Sequence, residues 1–250
     1  MLDLAVAPSL DPRFGTGETA MTVALVVLVL VYLPLRGRRR FERLVAQRER
    51  DARAVTKFWL RFYVTWWTLA IAVVVVILAD PGGLALRDIG LAWPTASGGT
   101  ALAAALTVGL MVAQVVGVRR ARAMFADRPW PRRLLVVTLV RTERERRLAV
   151  GGAATAGICE EVVFRGLFIA AAMGLLGLSP FTAALLSAAA FGAAHLYQGP
   201  AGMAGSAAVG LAFALLYQMS GSLLLPIVAH TANDTIGFMA IRPPSPARSP

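Results

Sequence analysis

The sequence predicts an all-α fold, a bundle of about seven to eight helices that cross a membrane. The chain has 250 residues, of which 57% are hydrophobic and 16% are charged, whereas soluble domains are nearer half apolar and a quarter charged. Apolar runs of roughly 18 residues recur along the chain, and a helix of that length spans the hydrocarbon of a bilayer. The basic residues are concentrated in two loops between these runs, as topology signals are. The net charge of +11 therefore does not indicate a nucleic-acid partner.

The first three apolar runs and the two basic loops set the predicted topology. The runs are 19–35, 62–78 and 100–118. The loops 36–61 and 119–147 each hold ten lysines and arginines, and the positive-inside rule assigns such loops to the cytoplasm. The N-terminus is therefore expected outside, with no cleavable signal peptide. Part of the first loop, and residues 134–140 of the second, are expected to form interfacial helices.

The cytoplasmic end of the second run is rich in aromatic side chains, which predicts an aromatic belt at the membrane surface. These side chains are Trp59, Tyr63, Trp66 and Trp67. The loop 80–99, rich in proline and glycine, is expected outside.

Four further apolar runs follow the second basic loop. They are 148–178, 180–195, 203–219 and 223–241. Dividing the long fourth run at its glycines gives eight spans instead of seven. The proline-rich tail 242–250 is expected to be disordered and cytoplasmic. The predicted organisation is an N-terminal three-span region, 1–147, a core, 148–241, and that tail.

Two adjacent carboxylates and an arginine interrupt the fourth run. They are Glu160, Glu161 and Arg165, and such groups inside a membrane usually face a bundle interior or a water-filled cavity. On a helix, Glu161 and Arg165 lie four residues apart and are able to pair. Glu160 is offset by about 100° and is left for chemistry. The alternative is a structural ion pair with a second carboxylate at the interface.

The two histidines of the chain, His195 and His230, both lie in apolar runs after the carboxylates. Asp234 follows His230 by four residues, so the two share a helical face. Glutamate and histidine side chains from three spans could hold and activate a water molecule. One glutamate and two histidines are also the ligand set of a hydrolytic zinc site. The single cysteine, Cys159, is interpreted as a buried apolar residue.

These motifs, taken in order, resemble the CPBP family of intramembrane proteases, also called the Abi or CAAX-protease family. Its signature is EExxxR, then FxxxH, then HxxxN or HxxxD. In this chain the motifs are residues 160–165, Phe191 to His195, and His230 to Asp234. The resemblance covers about 148–241, and residues 86–91 are similar to a loop that precedes the core in bacterial members.

The resemblance implies a role for each motif residue. Glu160 would be the general base, with help from His195, and Glu161 and Arg165 would form a structural pair. His230 and the residue at 234 would stabilise the oxyanion. That residue is asparagine in the eukaryotic branch, and a carboxylate donates no hydrogen bond unless it is protonated. Asp234 therefore fits better as a partner that fixes the tautomer of His230, or as a group of a metal site.

The family is described both as metalloproteases and as metal-free glutamate proteases. The sequence does not decide between the two. Because Asp234 replaces the amide that the metal-free scheme needs, we favour zinc, held by Glu160, His195 and His230. The predicted protein is thus an endopeptidase of a bacterial plasma membrane that cleaves membrane proteins or lipidated peptides. Two other hypotheses are a proton-coupled transporter, since intramembrane acids and histidines also relay protons, and a non-catalytic scaffold or immunity protein.

Overall fold

A computed structural model describes residues 12–79, 83–95, 97–124, 140 and 142–240. Within these ranges the chain is helical and has no strand, which confirms the all-α prediction. Seven long helices follow one another: α1 Thr16–Gln47, α2 Ala54–Leu78, α3 Gly98–Met124, α4 143–174, α5 Pro180–Ala194, α6 Gly199–Ser220 and α7 Leu224–Ala240.

Four of these helices are long and apolar enough to cross a membrane: α1, α2, α3 and α6, the last counted with the short turn before it. The protein is an integral membrane protein. The fourth apolar run forms the single continuous helix α4, which favours seven spans over eight.

The first basic loop is more helical than the sequence predicts. Helix α1 continues to Gln47, and α2 already begins at Ala54. Arginine and leucine are good helix formers. An exposed ion pair between Arg38 and Glu42, four residues apart and 2.9 Å from each other, also stabilises this part of the helix. The side chain of Phe41 is buried against the bundle. The predicted interfacial helix at 134–140, apart from Val140, and the tail 242–250 lie outside the described residues.

The middle of α4 is a π-helical segment, Val162–Phe168, in which every residue is buried. Such segments interrupt α-helices rarely, and frequently at functional sites. This one begins immediately after Glu161 and contains Arg165. The irregular part of the α4 backbone therefore coincides with the buried charged residues of this helix.

The main hydrophobic core draws on both halves of the chain. Val29 of α1 and Val73 of α2 belong to the same buried cluster as Phe164 and Leu167 of α4. A second cluster contains Trp59, which is only 5% exposed. Trp59 thus packs inside the protein, so its predicted place in an aromatic belt is wrong.

The loop between α2 and α3 packs beneath the π-helical segment. It contains a short 3-10 helix, Leu86–Ile89, followed by Gly90 with a φ of +76°. Ile89 is fully buried and lies against Gly166 of α4. The Gly90 carbonyl accepts a hydrogen bond of 2.9 Å from the amide of Leu223, at the start of α7. The loop thus connects α4 and α7 at one end of the bundle.

Candidate active site

The arginine of α4 is fully buried, and its partners satisfy two of its nitrogen atoms. Arg165 Nη1 donates to Glu161 Oε1 at 3.0 Å, and Nη2 donates to the Gly210 carbonyl of α6 at 3.0 Å. Both charged side chains are 0% exposed. A buried charge without a partner is strongly destabilising, so this pair permits a cation and an anion to lie inside the bundle.

Glu161 has a second partner, which sequence spacing did not reveal. Its Oε1 atom also lies 2.6 Å from Nδ1 of His230 on α7. The two helices approach closely at Gly157, where an added Cβ would overlap the side chain of Thr231. A carboxylate accepts hydrogen bonds only, so Nδ1 of His230 carries the proton in this contact. The contact that orients the imidazole is therefore with Glu161, and not with Asp234.

The other ring nitrogen of His230 faces two carboxylates. Nε2 lies 3.7 Å from Oδ2 of Asp234 and 4.0 Å from Oε2 of Glu160. These distances exceed a direct hydrogen bond and are suitable for bridging by a water molecule. Glu160 is 5% exposed, and no described residue forms a hydrogen bond with its carboxylate. Of the two adjacent glutamates, Glu160 is thus the one left available for chemistry.

Two phenylalanines, Phe191 and Phe213, pack against both Arg165 and His230. The guanidinium carbon of Arg165 lies 4.4 Å from the ring centroid of Phe191 and 5.6 Å from that of Phe213. Cations are attracted to aromatic faces. The Phe213 ring stacks on the His230 ring at 5.1 Å and 30°, while Phe191 meets His230 edge-on at 5.8 Å.

Phe213 was not predicted as a site residue. It lies on α6, in an apolar run where an aromatic residue indicates only core packing. The sequence feature that connects Phe213 to the site is its position three residues after Gly210, because residues three apart share a helical face. Gly210 is the residue whose carbonyl binds Arg165.

His195 lies at the end of α5, beside the cluster but not joined to it. Its Nδ1 atom is 2.8 Å from the Phe191 carbonyl, and its ring lies 4.6 Å from the Phe191 ring, which also contacts His230. In the part of the chain that the structure describes, no hydrogen bond or ion pair connects His195 to a carboxylate. The Tyr197 ring lies 5.8 Å from His195 and 5.3 Å from Phe41 of α1.

In the structure, five of the six predicted site residues each have a polar atom within 4.0 Å of another member of the set. These are Glu160, Glu161, Arg165, His230 and Asp234, and His195 approaches them through Phe191.

The donors predicted for zinc were Glu160, His195 and His230. Across the described ranges, no three histidine, cysteine, aspartate or glutamate side chains are grouped so that they could hold a metal ion. The ligation of zinc by these three donors therefore stays a prediction, and the chemistry proposed below uses only the side chains of the protein.

Residues 145–236 match the model of one protein family, described as Type II CAAX prenyl endopeptidase Rce1-like. The matched stretch contains all six predicted site residues, and it is close to the range 148–241 over which the motifs resemble the family. The match confirms the resemblance seen in the motifs. No curated protein and no solved structure matches the chain significantly.

Proposed function

We propose that this chain is an intramembrane endopeptidase of the Rce1-like type, the family whose model residues 145–236 match. In this proposal Glu160 activates the water that cleaves a peptide bond within the membrane. One observation carries this proposal. Arg165 and the Nδ1 atom of His230 are both bound by Glu161, and Glu160 is left buried beside Nε2 of His230. The two glutamates are thereby given different tasks, one structural and one catalytic.

In the proposed reaction, Glu160 takes a proton from a water molecule as the water oxygen attacks the carbonyl carbon of the scissile bond. The π electrons of the carbonyl move to its oxygen, which becomes an oxyanion. When the tetrahedral intermediate collapses, the C–N bond breaks and Glu160 returns the proton to the leaving amine. General base catalysis of this kind contributes about 10²–10⁴-fold to a rate.

His230 is the group best placed to stabilise the oxyanion. Glu161 holds its Nδ1 atom at 2.6 Å, and Phe213 stacks on its ring, so Nε2 is fixed in direction toward Glu160. A preorganised donor is worth more than a mobile one because it needs no reorganisation during the reaction. Asp234, at 3.7 Å from Nε2, supports a proton on that nitrogen. We assign His195 the role of a second polar group that orients the water.

The proposed substrates are peptides anchored in the membrane. The site residues lie on helices of the bundle, and the matched family is described by its action on prenyl proteins. The experiment uses the purified full chain in nanodiscs and two peptides of equal sequence, one with a farnesylated cysteine and one with a transmembrane anchor. Cleavage of either peptide supports the proposed function, and the ratio of the two rates shows whether prenylation is required.

Replacing Glu160 with glutamine tests the base directly. Because Glu160→Gln keeps the shape but removes the basic oxygen, we expect cleavage to fall by about 10²–10⁴-fold while the protein still inserts and folds. The matched control is Glu42→Gln, since Glu42 is an exposed glutamate of α1. A Glu160→Gln protein that cleaves at the wild-type rate would show that another group activates the water.

The zinc hypothesis makes a separate prediction. A zinc enzyme should be silenced by a strong chelator and restored by Zn²⁺ or Co²⁺, and His195→Ala and His230→Ala should each lower the bound metal. The measurement is metal content by mass spectrometry of active protein, alongside the chelator titration. Full activity with well under one metal ion per chain would refute zinc and leave Glu160 as a metal-free base.

A further inference from the structure

A cavity of about 210 Å³ lies between α3, α6 and α7. Its walls are apolar side chains from all three helices, and its polar lining residues are Gln114 of α3 and Asn233 of α7. Neither the motifs nor the mechanism above uses this cavity.

The cavity shares a wall with the candidate active site. Phe213 lines it, and the ring of Phe213 stacks on His230 at 5.1 Å. Asn233 lines it as well and donates from Nδ2 to Oδ1 of Asp234 at 3.1 Å. A group inside the cavity would therefore contact two residues that touch the catalytic cluster.

Two apolar residues of the cavity lining also lie on the outside of the helical bundle. Leu110 and Val209 line it and are also exposed on the outer surfaces of α3 and α6, by 38% and 37%. Both helices are long and apolar enough to cross a membrane.

The volume limits what the cavity accepts. An engineered cavity of about 150 Å³ lined by apolar side chains binds benzene. A cavity of about 210 Å³ therefore holds one aromatic ring or one branched alkyl side chain. A complete acyl or isoprenyl chain is several times larger than such a group.

The polar rim favours a peptide over a lipid. Gln114 Nε2 donates to the Asn233 carbonyl at 3.4 Å, and the side-chain oxygens of Gln114 and Asn233 have no hydrogen-bond partner among the described residues. Carboxamide oxygens accept hydrogen bonds from peptide N–H groups, which a hydrocarbon chain lacks.

We propose that this cavity is a specificity subsite, which receives one large apolar side chain of the substrate peptide close to the scissile bond. The carboxamides of Gln114 and Asn233 hold the backbone of the same peptide. The proposal rests on the proposed function. It assigns four of the nine lining residues to α3, which lies outside the family-matched residues 145–236. Substrate choice would thus depend on a part of the chain that carries no catalytic motif.

The test varies the substrate and the cavity together. A series of anchored peptides places alanine, leucine or phenylalanine at each position that flanks the cleaved bond. Wild-type protein should prefer leucine or phenylalanine over alanine at one of these positions by about 10- to 100-fold, the range that follows from burial of such a side chain. Ala212 lines the cavity, and Ala212→Leu fills it. This variant should therefore reduce the ratio of the leucine-peptide rate to the alanine-peptide rate toward one.

Two further variants keep the test decisive. Ala105→Leu makes the same change at an exposed position of α3 that does not line the cavity, and it should keep the preference. Leu110→Ala enlarges the cavity from its exposed side, so it should shift the preference from leucine toward phenylalanine even if Ala212→Leu fails to fold. An unchanged preference in both Ala212→Leu and Leu110→Ala would overturn the subsite.

Binding of the same peptides to the Glu160→Gln protein separates this proposal from the proposed function. Cleavage without any size preference overturns the subsite and leaves the peptidase intact. A binding preference that Ala212→Leu removes, with no cleavage by wild-type protein, supports the subsite and overturns the peptidase. The absence of both cleavage and preferential binding overturns both.

Discussion

At the scale of single residues, Glu160 and Glu161 are chemically different because of what lies beside each. Glu161 accepts from both Arg165 and His230 through one oxygen, Oε1, and its other oxygen has no partner among the described residues. Oε2 of Glu160 lies 4.0 Å from Nε2 of His230. The helix places the two side chains about 100° apart, so one points to the arginine and the other to the open side of the histidine.

Removing the buried arginine should therefore affect stability more than the rate per folded molecule. Arg165→Met leaves Glu161 buried without its cation, and removal of one partner of a buried pair costs about 3–5 kcal/mol. The measurement is the free energy of unfolding in detergent, with cleavage normalised to folded protein.

The matched control is Arg38→Met, which breaks an exposed pair at the same spacing on α1. Exposed pairs of this kind contribute about 0.3–0.5 kcal/mol. Equal stability of Arg165→Met and wild-type protein would contradict a buried pair at Arg165.

At the scale of elements, the close approach of α4 and α7 decides whether the cluster forms. Gly157 lies against Thr231, and it carries no side chain that would push α7 away. Glu161 lies one turn further along α4, and it contacts His230, the residue directly before Thr231 on α7. The π-helical segment Val162–Phe168 follows at once and positions Arg165 against Phe191.

A methyl group at this crossing should separate the two helices. Gly157→Ala should cost about 1–3 kcal/mol, as overpacking does, and it should lower the cleavage rate because α7 carries His230 and Asp234. Gly109→Ala is the control, since an added Cβ there meets nothing within 4 Å. Alanine is a better helix former than glycine by up to about 1 kcal/mol, so the control should be neutral or stabilising.

Thermal unfolding and cleavage rates of the two variants provide the comparison. Similar behaviour of Gly157→Ala and Gly109→Ala would show that α4 and α7 tolerate a wider spacing than the structure has.

At the scale of the whole molecule, the orientation of the protein in the membrane is predicted only from the distribution of positive charge between its loops. In a Cys159→Ala background, Arg39→Cys and Arg144→Cys should resist an impermeant thiol reagent in intact cells. Trp93→Cys lies in the loop after α2, where Trp93 is 84% exposed, and should react. Labelling of Arg39→Cys together with protection of Trp93→Cys would mean that the orientation is inverted.

Local spacing predicted part of this site, and only tertiary contacts supplied the rest. The pairing of Glu161 with Arg165 follows from their spacing on one helix, and the structure has it at 3.0 Å. The contact of Glu161 with His230 joins residues 69 positions apart, and no local pattern encodes where α4 and α7 cross. Phe213 was likewise identified as part of the site only from a tertiary contact, the stacking of its ring on His230.

The ends of the helices also could not be predicted from hydropathy alone. Hydropathy predicted the end of the first span at Leu35, because the arginines after it do not enter hydrocarbon. The helix itself continues to Gln47, because helix propensity and the packing of Phe41 and Leu44 do not require an apolar run. Trp59 is buried for a related reason, since Gly152 of α4 leaves room for its ring.

The core shared by the two halves of the chain has a consequence for protein engineering. Val29 and Val73 pack in one cluster with Phe164 and Leu167, and α3 packs along α7. A chimera that grafts residues 145–236 onto the N-terminal helices of a relative would inherit every motif residue but lose these partners. Such a graft should transfer the chemistry only when α1, α2 and α3 of the donor are transplanted with it.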